Sequence, residues 1–152
     1  MINLNIIALK ALTRFFLPDF VKRNEGKILN VSSTASLMSG PLQAVYYATK
    51  AYATFFSNAT AEELYDINIT VTALLPGATK TEFGRVSGMD KISMFQKAAS
   101  AHGVAEDGYK GMLAGKLDVI SGLTFGQKMM MSVLPLTPNK LLLKQIRQMQ
   151  EV

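Results

Sequence analysis

Cysteine and tryptophan do not occur in this chain of 152 residues, and histidine occurs once. A chain without cysteine can form neither a disulfide nor a thiolate metal site. The nine methionines are better interpreted as core or pocket filler than as metal ligands. We therefore predict no metal site, and the lack of cysteine fits our expectation of a reducing, cytoplasmic location.

Long apolar runs are also missing. Asn3, Asn5, Lys10 and Arg14 interrupt the apolar start of the chain, and no small-residue cleavage site follows, so a signal peptide is not indicated. No apolar run approaches the roughly 20 residues that a transmembrane helix needs. The sequence therefore predicts a soluble protein without a transmembrane segment.

Clustered charge is the third absence. The net charge is +5, but the basic residues are scattered and no five of them follow one another. Aromatic side chains are not interleaved with basic ones as they are on a stacking surface. We interpret the basic residues as a solvated face and predict no nucleic-acid partner. The composition, 49% hydrophobic and 18% charged, suffices for one packed domain over residues 1–152.

Periodic apolar residues define the first elements. They recur at three- and four-residue steps from Ile2 to Phe20, which predicts an amphipathic helix over residues 2–23 with Gly26 as its cap. Residues 27–32 have the apolar centre of a parallel strand that is buried on both faces. Residues 33–43 are rich in Ser, Gly and Pro and predict a loop.

The rest of the chain alternates in the same way. The pattern predicts a helix over 44–64, a strand over 69–75 and a long loop over 79–103 with one short helix near 92–99. A helix over 104–113 and a strand over 117–121 follow. Gly122 and Gly126 predict a loose structure for what comes next, and a basic amphipathic helix follows Pro138. Such alternation of helices and strands is typical of right-handed βαβ units on a parallel sheet. We predict an α/β fold with about three parallel strands flanked by helices.

Three short motifs lie where a parallel sheet binds ligands. Tyr46 and Lys50 are four residues apart on one helix face, so a cation can stabilise the phenolate and make the phenol useful in proton transfer. Ser32 and Ser33 end one strand, where a hydroxyl can bind a substrate carbonyl or simply cap a turn. Pro76 and Gly77 end the next strand, either to let a ligand approach or only to stop the strand.

Together the motifs are more specific. Asn30-Val31-Ser32-Ser33, Tyr46-Tyr47-Ala48-Thr49-Lys50 and Leu75-Pro76-Gly77-Ala78-Thr79-Lys80-Thr81 strongly resemble the short-chain dehydrogenase/reductase family. The resemblance runs from the first helix to the third strand. It implies a Rossmann-type fold and an NAD(P)-dependent oxidoreductase that transfers hydride between a nicotinamide cofactor and a carbonyl or alcohol substrate.

The resemblance implies four catalytic residues. Tyr46 would be the general acid/base that exchanges a proton with the substrate oxygen, and Lys50 would stabilise its anion and bind the nicotinamide ribose. Ser33 would orient and polarise the substrate oxygen. Asn5 would hold a water molecule of the proton relay.

Two of these residues have competing neighbours. Ser33 is preferred to Ser32 because it precedes Tyr46 by thirteen residues, and Asn5 is preferred to Asn3 because it fits the family's helix pattern better. The cofactor-binding residues that the resemblance implies are Tyr46, Lys50, Pro76, Gly77, Ala78 and Thr81.

The sequence departs from the family at one important place. It has neither the Gly-rich phosphate loop nor the residue that distinguishes NAD from NADP. We expect the carboxy-terminal catalytic half of the fold, with the N-terminal half missing and the first strand left at an exposed sheet edge. Residues 1–81 would be the catalytic core, 82–103 the substrate loop and 104–152 a helix–strand–helix unit.

The sequence also gives an expectation for the cofactor and for the class of substrate. NADP is our expectation for the cofactor, with NAD left open because the deciding residues are not in this segment. Apolar residues in the substrate loop favour a small hydrophobic carbonyl or alcohol substrate: they are Phe83, Val86, Met89, Ile92, Met94 and Phe95.

Two hypotheses of different class remain. The chain is part of an active oxidoreductase, or it is a catalytically inactive, truncated relative that serves as an interaction or assembly module. In both cases the resemblance implies a homo-oligomer formed through helices 2–23 and 44–64. Membrane contact of the helix after Pro138 is a third hypothesis, although we favour packing of that helix against its own domain.

Overall fold

The computed structural model describes residues 1–87, 98–134 and 137–150. Three strands form a parallel sheet in the order β1-β2-β5. They are β1 (Gly26–Val31), β2 (Ile69–Pro76) and β5 (Asp118–Ser121), while β3 (Thr79–Lys80) and β4 (Ala99–Ser100) form a second, two-stranded parallel sheet. The predicted α/β fold with about three parallel strands is confirmed.

Helices pack on this sheet. Across the described ranges they are α1 (Leu9–Arg23), α2 (Ala44–Glu63), α3 (Glu82–Ser87), α4 (Ala101–Leu113), α5 (Phe125–Val133) and α6 (Asn139–Gln150). A π-helical segment, Asn3–Ala8, leads into α1, and a 3₁₀ helix, Thr34–Leu37, follows β1. No helix in the part of the chain that the structure describes is long and apolar enough to cross a membrane.

The central strand β2 is the core of the molecule because β1 and β5 cover its two sides. Its residues from Val71 to Leu75 are all buried. Thr72 is polar and fully buried, and its hydroxyl donates to the carbonyl of Lys116 at 2.6 Å, which satisfies the hydroxyl away from water. Parallel strands buried in this way read as continuous apolar runs, which is why the sequence predicted β2 well.

The predicted helix over residues 2–23 is confirmed as the π-helical segment followed by α1, but Gly26 is not its cap. Asn24 adopts the left-handed conformation instead, with φ of 51°, because asparagine tolerates that conformation better than most residues. Its side chain also accepts a hydrogen bond from the Asn68 amide at 3.0 Å. Gly26 begins β1 and lies against the ring of Phe20.

The long loop predicted over residues 79–103 is wrong in part, because it contains β3, α3 and β4. Helix α4 begins at Ala101 rather than 104, since the Ser100 side chain caps it by accepting from the Gly103 amide. Much of the short helix predicted near 92–99, and the apolar residues 89, 92, 94 and 95, lie outside the described residues; Ala99 belongs to β4.

Helix α5 occupies a stretch that the two glycines, Gly122 and Gly126, led us to predict as loose. Thr124 and Gln127 start it with a reciprocal capping box between side chains and backbone. This outweighs the helix-weakening effect of Gly126 inside it. The helix predicted after Pro138 is confirmed as α6, and its packing against the body of the protein is confirmed by Ile146, which is 2% exposed.

Candidate active site

The site is built at the carboxyl ends of β1 and β2, which lie side by side with Val31 opposite Leu74. Each strand runs directly into one of the motif loops. The hydroxyls of Ser33 and Thr34 both donate to the carbonyl of Pro76, at 3.4 and 3.3 Å. The serine loop and the proline-glycine loop are therefore joined at the edge where parallel sheets hold ligands.

The two neighbouring serines have different environments. Ser32 is 3% exposed, and its hydroxyl donates to the Lys50 carbonyl at 2.8 Å and is 2.7 Å from the Thr54 hydroxyl. Thr54 in turn donates to Ser36 at 2.9 Å. This buried chain of hydroxyls fixes helix α2 against the end of β1.

Ser33 is only half-buried. Its hydroxyl accepts a hydrogen bond from the Ala35 amide at 3.1 Å and so caps the 3₁₀ helix. This is the capping role considered beside the catalytic one in the sequence analysis. Its hydrogen bond to the Pro76 carbonyl is long, at 3.4 Å, and therefore weak. The hydroxyl can exchange this partner for another with little loss of hydrogen-bond energy.

Tyr46 lies in the first turn of α2 and is half-buried. Its ring is 5.7 Å from that of Phe83. Together they line an open cleft of about 510 Å³ whose other walls are mostly apolar and include Leu42 and Val45. Of the described residues, Ser33 is not among those lining this cleft; it lies in the loop after β1, beside Pro76.

Lys50 lies one helical turn after Tyr46 on the same helix, as its spacing requires. Its ammonium donates to the carbonyl of Val31 at 3.1 Å. Burial lowers the pKa of Lys50 below its ordinary value of 10.5, because desolvation disfavours the charged form. The bond recorded for this ammonium in the described part of the chain is to β1 and not to Tyr46.

Asn5 is linked to the backbone of Tyr46 through Thr49, a residue of α2. Its amide donates to the Thr49 hydroxyl at 3.0 Å, and that hydroxyl donates to the carbonyl of Tyr46 at 2.9 Å. Asn5 lies in the π-helical segment, a conformation that often marks functional sites. Thr49 was missed by sequence reasoning, although its position three residues after Tyr46 places it on the same side of the helix.

Contacts with the end of β5 and the loop after it hold the proline-glycine loop in place. The Gly77 amide donates to Ser121 at 2.9 Å. A β-carbon at Gly77 would come within 2.5 Å of the Leu123 side chain and 3.2 Å of the Gly122 carbonyl. Glycine therefore allows close packing against the loop after β5, where a larger residue would displace Leu123. Pro76 and Ala78 beside it are half-buried.

Thr81 lies apart from Tyr46. It lines a second cleft, of about 560 Å³, together with Lys80, Glu82 and Arg85. Helix α3 contributes Glu82 and Arg85 to this cleft, but Phe83 to the cleft of Tyr46. Of the predicted site residues, Tyr46 therefore lines one cleft and Thr81 lines the other, and α3 is a wall of both.

Tyr47 adds a link that sequence reasoning did not find. Its hydroxyl accepts a hydrogen bond from the Gln150 amide at 2.7 Å, and its ring packs directly over Gly40. Burial raises the pKa of Tyr47, the nearby Tyr46 raises it further, and the bond from Gln150 partly opposes both. The last helix is therefore tied to the residue beside Tyr46.

Comparison with known families decides the ancestry, because the family described as short chain dehydrogenase matches residues 1–91. The chain belongs to the short-chain dehydrogenase family. The recognition made from the three motifs is therefore confirmed.

Other members of the short-chain dehydrogenase family resemble the first part of the chain. The very-long-chain 3-oxoacyl-CoA reductase of Rattus norvegicus is 38% identical over 86 residues, which is 57% of this chain and 28% of that protein. The NADP-dependent 3-hydroxy acid dehydrogenase of Schizosaccharomyces pombe is also 38% identical over 86 residues, covering 57% of this chain and 33% of that one. The chain thus spans about a third or less of the length of these relatives.

Solved short-chain dehydrogenases share the fold over almost the whole chain. A 7β-hydroxysteroid dehydrogenase aligns with a TM-score of 0.78 and 22% identity, over 99% of this chain and 57% of that structure. A short-chain dehydrogenase from Sphingobium yanoikuyae in complex with NADPH aligns with a TM-score of 0.73 and 26% identity, over 100% of this chain and 58% of that one. The Rossmann-type fold predicted from the motifs is confirmed.

Proposed function

We propose that this chain carries the catalytic half of an NAD(P)-dependent oxidoreductase that transfers hydride between a nicotinamide cofactor and a carbonyl or alcohol substrate. The observation that carries the proposal is the placement of Tyr46. Its ring lines an apolar cleft, and the same helix holds a half-buried lysine whose ammonium bonds to the last residue of β1. Family membership supports the same chemistry.

The residues fit the nicotinamide end of such a cofactor. The bond from Lys50 to Val31 uses one of the three N–H donors of an ammonium, which leaves donors for a ribose hydroxyl. The Thr81 oxygen accepts from the Phe83 amide at 3.3 Å, so its own proton can still be donated. When bound, the nicotinamide supplies or accepts the hydride. Tyr46, Lys50, Pro76, Gly77, Ala78 and Thr81 would hold it.

The protein's own contribution is proton transfer and orientation. We assign the proton of the reacting oxygen to the Tyr46 phenol, and we assign Lys50, one helical turn further on, to the cofactor ribose. Ser33 would orient the substrate oxygen after exchanging its long bond to Pro76. The Asn5 side-chain nitrogen donates to the Thr49 hydroxyl. The Asn5 side-chain oxygen would accept a hydrogen bond from a water molecule of the proton relay.

The cleft beside Tyr46 supports a hydrophobic substrate. Leu42, Val45 and Phe83 line it with apolar surface, and apolar walls favour apolar ligands. The names of the similar reductase and dehydrogenase point to 3-oxoacyl or 3-hydroxy acid compounds. We propose a carbonyl or alcohol on an apolar chain as the substrate. NADP is preferred to NAD because it is the form named for the fission-yeast relative.

Three further assignments belong to the same proposal. Residues 1–81 would be the catalytic core and residues 82–103 the substrate loop of one domain. The chain would act in the cytoplasm. It would associate with a second copy through residues 2–23 and 44–64, since their exposed apolar side chains include Phe15 and Phe55, 74% and 69% exposed.

Substitution of the proposed acid/base tests the function. Tyr46→Phe should lower the turnover of an apolar ketone by about a hundredfold or more, because the phenol proton is lost. The affinity for NADPH should change little, because the ring of residue 46, Lys50 and the other proposed cofactor-binding residues remain. Steady-state kinetics give the turnover and fluorescence titration gives the affinity. Tyr52→Phe is the matched control, since Tyr52 lies on the same helix and stacks on Phe56 at 5.6 Å.

Turnover retained in Tyr46→Phe would overturn the assignment of this residue. If the unmodified chain neither binds NADPH nor turns over any apolar ketone or alcohol, the proposed activity is overturned for this chain. An assembly module would then be the better interpretation, and association of the chain without cofactor would support it.

A further inference from the structure

Leu42 has a backbone conformation that leucine rarely adopts. Its φ is 67°, in the left-handed region, where a β-carbon comes too close to the following carbonyl oxygen. Asn24 is the other non-glycine residue with positive φ among the described residues, and asparagine tolerates this conformation. A bulky residue at positive φ costs free energy, and residues of this kind cluster at sites of function.

The turn that contains Leu42 holds it in this conformation. The Gln43 amide donates to the Gly40 carbonyl at 3.2 Å, which closes a tight turn with Leu42 as its third residue and a proline as its second. This is the order of a type II turn, in which positive φ at the third residue favours glycine. Gly40 is buried against the ring of Tyr47, and α2 begins directly after Gln43. Contacts on both sides of Leu42 therefore fix the turn.

Packing within the chain does not account for a leucine at this position. The Leu42 side chain is 66% exposed, so most of its apolar surface stays in water and its burial contributes little to stability. Glycine or asparagine would form the same turn without the crowding at the β-carbon. The stability of the described part of the chain therefore gives no reason for this leucine.

The position of Leu42 in the cleft of Tyr46 does give a reason. Val45 and Phe83 line the same cleft and are 55% and 42% exposed. The three side chains offer apolar surface beside the ring of the proposed acid/base. A hydrocarbon chain in this cleft would cover surface that is otherwise exposed to water.

We propose that Leu42 is a specificity-determining residue, whose strained backbone holds an apolar side chain against the hydrocarbon chain of the substrate. The inference rests on the proposed function, because it concerns the substrate of the same cleft. Contact with the substrate buries the leucine, and this burial offsets the cost of its backbone conformation. A long hydrocarbon chain covers more of Leu42 than a short one does, so this residue favours long apolar substrates.

Thermal unfolding tests the strain. Leu42→Asn should raise the Tm by about 2–4 °C, because asparagine tolerates positive φ and relieves the crowding. Leu42→Ala should not raise the Tm, because alanine keeps a β-carbon at positive φ without the tolerance of asparagine. Leu117→Asn is the matched control: Leu117 is another leucine that is largely exposed, at 48%, but it lacks positive φ. Its replacement should not raise the Tm.

Calorimetry with decanone, an apolar ketone, tests the contact without any need for turnover. The dissociation constant for decanone should rise at least about tenfold in Leu42→Asn and Leu42→Ala, because both lose the apolar contact. Leu42→Met should restore the affinity, since methionine has an apolar side chain of similar size. Leu117→Asn should bind decanone like the parent, because Leu117 lines neither of the two clefts.

The outcomes separate this inference from the proposed activity. Unchanged affinity for decanone in Leu42→Asn would overturn the inference, and so would a parent chain that does not bind decanone or a Tm that does not rise in Leu42→Asn. Weaker self-association of Leu42→Asn with unchanged affinity for decanone would identify a second copy of the chain as the occupant. The expected changes in affinity without any turnover would support the role of Leu42 and overturn only the proposed activity.

Discussion

Burial of the Lys50 ammonium works against folding at neutral pH. The lowered pKa of Lys50 means that the unfolded chain binds this proton more tightly than the folded one. The free energy of unfolding therefore increases as the pH rises from the folded-state pKa of Lys50 to the ordinary value of 10.5. A helix residue that costs stability and whose ammonium contacts the end of a strand is typical of a site kept for its chemistry.

Lys50→Met removes this effect. We expect the variant to be more stable than the parent at pH 7, and the difference to shrink as pH rises toward 10.5, because the buried cation is then lost from the parent as well. Urea unfolding at a series of pH values measures both. The control is Lys22→Met, at an exposed position in α1, which should show no such pH trend. If Lys50→Met is instead less stable than the parent at neutral pH, the hydrogen bond to the Val31 carbonyl contributes more than desolvation of the ammonium costs.

Residue spacing was enough to predict that Tyr46 and Lys50 lie one turn apart on a helix and that the two neighbouring serines follow a strand, because helix period and strand ends are local properties. The partners of these residues were not predictable in the same way. Thr49 connects Asn5 to the Tyr46 carbonyl over 44 residues of sequence, and Gln150 bonds to Tyr47 over 103 residues. Such contacts depend on how elements pack, which local pattern does not contain.

At the scale of elements, long periodic segments were predicted well and short ones were missed. Helix α2 and strand β2 have a clear apolar pattern, and both were predicted to within one residue at their ends. Helix α3 has six residues and contains Gly84, so no period could develop. Helix α5 could have been found from its capping box, since Thr124 and Gln127 have the required spacing.

Packing of α4 on β5 depends on a glycine. A β-carbon at Gly111 would clash with the Val119 side chain, and valine has few rotamers with which to move away. We expect Gly111→Ala to lower the free energy of unfolding by about 1–3 kcal/mol, measured by urea denaturation. Gly103→Ala on the same helix is the control: it meets nothing closer than Ser100 at 4.0 Å and should be neutral or stabilising by up to about 1 kcal/mol. Equal effects at both positions would contradict this account of the interface.

The whole molecule leaves much apolar surface uncovered. Strand β1 lies at one edge of the sheet, with Val31 55% exposed, and the π-helical segment and α1 expose Leu4, Ile7, Leu12, Phe15 and Phe16. This exceeds the scattered apolar residues of most monomeric proteins. Edge strands and apolar helix faces of this kind are surfaces through which chains associate.

Association through α1 can be tested with one residue. Phe15→Asp should shift the chain toward smaller species in sedimentation equilibrium, with at least a tenfold weaker self-association, because a charge would be buried at the contact. Val86→Asp is the matched control, since Val86 is 76% exposed on α3. A sedimentation profile unchanged by Phe15→Asp would exclude this part of α1 from the contact.

Helix α3 separates the two clefts: Phe83 lines the cleft of Tyr46, and Arg85 lines the cleft of Thr81. A displacement that widens one cleft narrows the other. A ligand that moves α3 from one side would therefore change the affinity for a ligand on the other side through six residues of backbone, and the second ligand would change the affinity for the first by the same factor.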